Sequence, residues 1–424
     1  MISDGEAGSD EEEQGVTPEI SFNDPDIQRC PFAAYEEIRS RGPVYYDKSN
    51  GFHIVTGYDD IRKAAMDTKT FSSVTGQLLV KTAPYQERID AIYREKGYLP
   101  VTALVVADPP VHSFHRSLVD KVFTVSSVKR MEEYLAGVVD EMVDGVIGGG
   151  EADFYYDLAV KIPNHVLSDQ IGLPRERFAD FKRWADAIVQ EADPNNGEER
   201  QVEITHTICE LQQFLVERIE EYRKVPRPCI LNDLVHADVD GKRLTIEEII
   251  QIVEQMLPAG SDTTVGAVAS AMHRIATTPG LEDELRADPS LIANFVEEVL
   301  RTSAPVQGLW RRATCDTEIG GVPIAKDSII VLRFGAGNYD PAVFPDPNRF
   351  DIRRTNARRH FAFGVGPHFC VGNLLARGEL RITIDRMLQR MKNLRLARGE
   401  DGVSWQAHFF AFGPSRLEIA FDPV

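Results

Sequence analysis

The chain has 424 residues, 43% of them hydrophobic and 27% charged, a composition that excludes a disordered protein and leaves enough apolar material for a sizeable core. The 47 basic and 66 acidic side chains give a net charge of −19, which argues against nucleic acid or an anionic membrane as a general partner. The five cysteines are odd in number, far apart and without a Cys-x-x-Cys pair, which excludes a disulfide framework and a thiolate zinc site and fits a reducing cytoplasm.

The first 20 residues form an acidic tail whose short clusters, separated by Gly and Ser, are expected to be disordered. The first basic residue is Arg29 and no apolar stretch precedes it, so no secretion signal is expected. The longest near-apolar stretch, Leu257 to Met272, is broken by Asp262, and no run reaches the roughly 18 residues of a membrane helix. From residue 21 to 424 the chain shows no internal repeat and no low-complexity linker.

Pro43 to Tyr46 and Phe52 to Val55 flank Lys48-Ser49-Asn50-Gly51 and predict a hairpin. Tyr85 to Lys96 is amphipathic within the long Gly76-to-Ala107 segment. Apolar residues at three- and four-residue spacings predict helices over Ser126 to Ile147 and Glu203 to Arg223. Thr245 and Glu248 form a capping box, opening a helix that can run to Thr277 before Pro279-Gly280 stops it. Some thirty residues at about 1.5 Å each span roughly 45–50 Å, so this helix should cross the core. Its middle, Pro258-Ala-Gly-Ser-Asp-Thr-Thr264, is a poor helix former, which suggests that something besides packing occupies that place. Thr317 to Leu332 and Val403 to Phe421 predict two further sheet fragments.

The sharpest signal is Phe363-Gly-Val-Gly366-Pro-His368-Phe-Cys370-Val-Gly372, followed by a helical pattern over Asn373 to Lys392. Glycines bracket a thiol just before a helix N-terminus, where peptide amides and the positive helix end can stabilise a thiolate. The string resembles the haem-binding signature of the cytochrome P-450 family, Phe-Gly-x-Gly-x-(His or Arg)-x-Cys-x-Gly, at every fixed position.

Further matches run in the family's order. Glu298-Val-Leu-Arg301 places both charges on one helix face, and with Arg349 it resembles the family's buried Glu–Arg–Arg cluster. His112 and Arg116, one turn apart, resemble the helix start that binds a haem propionate. Arg311 and His360 occupy positions of further propionate contacts. Ala259-Gly260-Ser261-Asp262-Thr263 resembles the oxygen-binding groove, in which Gly260 leaves room for dioxygen, Thr263 offers its hydroxyl and Asp262 relays protons from solvent. Pro258 departs from the family pattern, where an aliphatic residue is commoner, and should exaggerate local distortion.

The resemblance implies one mainly α domain with small β-sheets (α+β) over residues 21–424, with a helix-rich lobe and a smaller sheet-rich lobe around a buried haem b (iron protoporphyrin IX). Cys370 would be the proximal iron ligand, with Phe363 and Gly372 shaping its loop. The implied activity is a monooxygenase that uses dioxygen to hydroxylate a small apolar organic substrate. A peroxide-driven peroxygenase and a non-catalytic haem sensor are the alternatives; neither accounts well for the acid–threonine pair. No flavin, dinucleotide or iron–sulfur motif is present, so electrons should come from NAD(P)H through a reductase and a two-iron, two-sulfur ferredoxin. Lys121 and Arg377 are candidates for docking it. Family topology places the substrate against Met256 to Gly260, Pro305 to Leu309, the loop before Ala107 and the turn at Phe409-Phe410, under a lid from Gly76 to Ala107.

Overall fold

A computed structural model describes residues 19–75, 84–191 and 196–424. All but the last two residues of the acidic tail, and positions 76–83 of the expected lid, lie outside the described residues.

The predicted hairpin forms. Val44–Asp47 (β1) pairs antiparallel with Phe52–Val55 (β2), and Asp47 closes the turn by accepting from Ser49 N at 3.1 Å and Asn50 Nδ2 at 2.8 Å. β2 continues into a five-stranded sheet ordered β1-β2-β8-β5-β3, in which Phe71–Ser72 is β3, Leu309–Ala313 is β5 and Ile329–Leu332 is β8. Thr317–Ile319 (β6) and Val322–Ile324 (β7) make the small hairpin expected between them. The C-terminal fragment is larger than its sequence suggests. Pro414–Pro423 (β11) pairs antiparallel with Glu151–Asp153 (β4), Met391–Glu400 (β9) and Val403–Trp405 (β10).

The helices that frame the site are Tyr58–Met66 (α1), Gln86–Lys96 (α2), Val111–Val119 (α3), Val125–Asp144 (α4), Lys161–Gln170 (α5), Phe178–Glu191 (α6), Glu198–Lys224 (α7), Ile246–Thr277 (α8), Ile292–Thr302 (α9) and Asn373–Arg390 (α10). The α8 N-terminus carries both bonds of the capping box, Glu248 N to Thr245 Oγ1 at 3.2 Å and Thr245 N to Glu248 Oε2 at 2.8 Å. α8 belongs to two cores. Ile249 to Leu257 pack with Leu118, Trp184 and Phe214, whereas Val265 to Ile275 pack with Val139, Phe295 and Leu380. Burying such side chains contributes about 1.5–3 kcal/mol each. Residues 258–264 belong to neither core, so the weak midpoint is where the two cores part.

The helix nevertheless continues through Pro258 rather than breaking there. The hydroxyls of Ser261 and Thr263 donate to the carbonyls four residues earlier, at 2.7 and 2.6 Å. Such back-bonding tends to bend a helix.

The buried ion cluster on α9 differs from expectation in one partner. Arg301 grips both Glu298 oxygens at 2.8 Å, with both side chains fully buried. The second arginine is Arg354, whose Nε lies 3.1 Å from Glu298 Oε1, and not Arg349. The Arg349 side chain is exposed; its carbonyl accepts from Arg301 and Arg354 at 3.2 and 3.0 Å. Asp351 N, at 3.0 Å, adds a donor to the carboxylate. This density of bonds makes a buried charge tolerable.

Candidate functional site

The Gly-rich loop reverses between α9 and α10. Gly364 and Gly366 hold φ of +67° and +79°, and a Cβ on Gly366 would meet the Ala65 carbonyl at 2.8 Å. Both positions therefore require glycine. The reversal ties Cys370 N to the Phe363 carbonyl at 2.8 Å, and Asn373 Nδ2 donates to the Cys370 carbonyl at 2.8 Å. The thiol lines a cavity of about 320 Å³ that also touches Phe363, Gly372, Gly260 and Thr263. Burial pushes the Cys370 thiol up, against the pull of the Gly372 and Asn373 amides and of Arg116 and Arg377.

Four basic side chains line this cavity: His112 and Arg116 of α3, Arg311 of β5, and His368 of the loop. The Nε atoms of Arg116 and Arg311 are buried without a hydrogen-bond partner. Arg311 is 3% exposed, and burial pulls its guanidinium down to about 10 although Asp108 opposes this. The His112 and His368 rings are in contact, tilted by 37° with centroids 3.9 Å apart. Burial, followed by His112 and the two arginines, pulls His368 down to about 3, so it is neutral at physiological pH. Two guanidiniums with unspent donors and two imidazoles suit a ligand that brings its own carboxylates. A haem, with two propionates and an iron for the buried thiol, fits this donor set.

His360 does not line the cavity. Its Nε2 lies 3.0 Å from Glu297 Oε2, within a cluster completed by Arg377, which meets both Glu297 oxygens at 2.7 and 3.1 Å. The Arg377 guanidinium also sits 4.3 Å over the Phe363 ring, so it buttresses the loop instead of standing free for a partner. Lys121 is exposed and donates to the Asp238 carbonyl at 2.7 Å.

On α8, Gly260, Thr263 and Thr264 line the cavity, and a Cβ on Gly260 would meet Leu167 Cδ2 of α5 at 3.1 Å. Asp262 does not line it. Its side chain stays accessible to solvent; desolvation pushes its carboxyl above the usual range, with Lys182 lowering it and Asp186 raising it. Glu379 was missed by sequence reading. It is 6% exposed, lines the cavity from α10, and is pushed up to about 8 by burial despite a hydrogen bond with Thr264. Its signal was a lone carboxylate on the apolar α10 stripe of Leu375, Ala376 and Leu380.

The upper wall is apolar, with Leu104, Met256, Val306 and Leu309. Phe409 and Phe410 are not part of the lining; they pack on Trp310 at 5.4 and 4.8 Å. Among the described residues no helix is long and apolar enough to cross a membrane.

The family model for cytochrome P-450 matches residues 191–400. The chain is 34% identical over 367 residues to the cytochrome P-450 YjiB of Bacillus subtilis, covering 86% of this chain and 88% of that one. It is 31% identical to a steroid C26-monooxygenase of Mycobacterium tuberculosis, over 92% of this chain and 94% of that one. The structure of cytochrome P-450 CYP109Q5 from Chondromyces apiculatus superposes with a TM-score of 0.85 at 31% identity, over 96% of this chain and 98% of that one.

Proposed function

Since the chain belongs to the cytochrome P-450 family, and is therefore an oxidoreductase of the monooxygenase kind with a haem iron cofactor, we propose that Cys370 is the thiolate ligand of a haem b. His112, Arg116, Arg311 and His368 hold its propionates. The observation that carries this reading is the meeting, in one cavity, of a buried thiol, the buried Arg311 and the half-buried Arg116, both arginines with buried, unpartnered Nε atoms. When bound, the haem supplies the reductive activation of dioxygen, with one oxygen atom entering an apolar substrate and the other leaving as water.

The chain's own groups supply position and protons. Gly260 keeps side-chain bulk away from the cavity. The Thr263 hydroxyl, which donates to the Ala259 carbonyl at 2.6 Å, would be the hydrogen-bonding group offered to dioxygen on this face of the cavity. Asp262, open to solvent beside Lys182 and Asp186, takes up protons and passes them across α8. The apolar upper wall selects the substrate and excludes water.

Electrons come from NAD(P)H through a reductase and a two-iron, two-sulfur ferredoxin in the cytoplasm. Ferredoxins of this kind are acidic, so the docking face must be basic. Arg62, Lys63 and Lys69 border a concavity around Met66, which is 58% exposed and abuts Gly366 of the thiol loop. This patch replaces Lys121 and Arg377 as the docking site. Steroids head the substrate panel, because a relative is named for acting on one.

The test uses haem-loaded protein, isotopically labelled dioxygen and a panel of steroids. One arm receives NADPH, ferredoxin and reductase; the other receives hydrogen peroxide alone. The expected result is one labelled oxygen atom per product molecule in the first arm. Product in the peroxide arm alone makes the chain a peroxygenase, and product in neither arm, with haem bound, makes it a non-catalytic haem protein.

A further inference from the structure

The segment Tyr98–Val106 brings Leu104 and Val105 to the cavity, yet its regular structure is limited to the short turn Leu104–Val106. Leu104 holds φ of +34°, a conformation a leucine keeps only where its surroundings over-determine it. Three glutamines provide that restraint. Gln212 of α7 accepts from Tyr98 N at 2.7 Å and donates to Tyr98 O at 3.2 Å. Gln251 of α8 accepts from Val101 N at 3.0 Å. Gln255, one turn on, accepts from Val105 N and donates to Ala103 O, both at 3.1 Å.

Backbone N–H groups can only donate, so Gln212 and Gln251 must present their oxygens to Tyr98 and Val101. Gln212 spends one of its two amide protons on Tyr98 O; its other proton and the Gln251 NH2 meet one residue. Gln212 Nε2 donates to Glu254 Oε1 at 2.9 Å, and Gln251 Nε2 to Glu254 Oε2 at 3.1 Å. Glu254 is 6% exposed and takes part in no salt bridge among the described residues. The oxygen chemistry has no use for it.

We propose that Glu254 is a positioning residue for the cavity roof: by orienting the Gln212 and Gln251 amides it latches the Tyr98–Val106 segment, and disturbing it opens the cavity to ligand. A carboxyl accepts at two oxygens, whether ionised or neutral. A glutamine in its place turns an NH2 toward one of the two amide donors, so that amide must rotate and release its backbone N–H.

The latch also responds to pH. The groups facing Glu254 are Glu191 of α6, Tyr93 of α2 and Cys209 of α7, with Lys96 of α2 next to Cys209; Tyr93 Oη donates to Glu191 at 2.5 Å. Burial, with Glu191 adding to it, pushes Glu254 up to about 8. The latched form therefore holds its proton more tightly than an open, hydrated form, and closure weakens as pH rises from about 5 toward about 8.

Amide hydrogen exchange on the full chain tests this. Glu254→Gln should speed exchange of the Tyr98 or Val101 amide roughly tenfold or more, while the Asn373–Arg390 amides keep wild-type rates. Gln251→Met should release Val101 and leave Tyr98 protected, which decides the matter if the first variant folds poorly. In the wild type, exchange at both amides should rise between pH 6 and 8 beyond its intrinsic pH dependence, and Glu254→Gln should abolish that excess. Association of phenylimidazole with the haem-loaded variant should quicken in parallel. Wild-type protection at Tyr98 and Val101 in both variants, or equal acceleration throughout the chain, overturns the proposal.

Discussion

Two residues of the same loop show what a motif can and cannot specify. His360 and His368 lie either side of the positive-φ glycines 364 and 366. The reversal sends His368 into the cavity and leaves His360 against Glu297. Spacing alone does not reveal which face of a reversal a side chain takes, so the motif points to His360 where the structure brings His368 to the cavity. Arg349 and Arg354 were confused for the same reason: only a loop folded back on itself decides which guanidinium reaches Glu298. Arg311→Leu and His368→Phe are expected to weaken haem retention more than His360→Phe, measured as transfer to an apoglobin acceptor. Comparable loss from all three contradicts the assignment. Glu297 belongs to stability. Burial would raise its carboxyl, but His360 and Arg377 bring it down to about 2 from an ordinary 4.5. A depressed acid stabilises above its unfolded value and loses that contribution as pH falls toward the folded one. The stability gap between wild type and Glu297→Gln, up to about 3 kcal/mol at neutral pH, should therefore shrink between pH 5 and 3 in urea titrations.

Among elements, the long periodic ones were legible. The α8 span agrees at both ends because a capping box and Pro279-Gly280 mark them. The helix predicted from Glu203 begins at Glu198, because two acidic residues favour a first turn. Strand β9 was missed: Met391 to Glu400 is largely polar, four of its 10 residues are charged, and its burial does not alternate, so nothing in its pattern distinguishes it from a polar helix end. The division of labour along α8 gives this scale its prediction. Asp262→Asn should slow product formation with product per NAD(P)H largely kept, because in its proposed role the carboxylate only delivers protons. Thr263→Ala should keep NAD(P)H consumption going while product falls and hydrogen peroxide is released. Product, peroxide and NAD(P)H measured in one reaction separate these outcomes, and wild-type product yield per NAD(P)H from Thr263→Ala removes the threonine from oxygen activation.

At the scale of the whole molecule, a net charge of −19 hides a basic concavity beside the thiol loop. Net charge was legible; the position of the patch was not, because Arg62, Lys63 and Lys69 form a local concavity that comes beside the thiol loop only once α1 packs at Gly366. Lys63→Glu with Lys69→Glu should raise the KM for ferredoxin severalfold and flatten its salt dependence, with the haem spectrum unchanged. An unchanged KM places the electron donor elsewhere. Ligation by Cys370 in its glycine-bracketed loop is tested most directly by the absorption spectrum of the reduced, haem-loaded protein under carbon monoxide. A thiolate ligand predicts the strongly red-shifted Soret band for which the family is named, and its loss in Cys370→Ala when haem is retained. A wild-type protein without that band, or a Cys370→Ala variant that keeps it, contradicts the account.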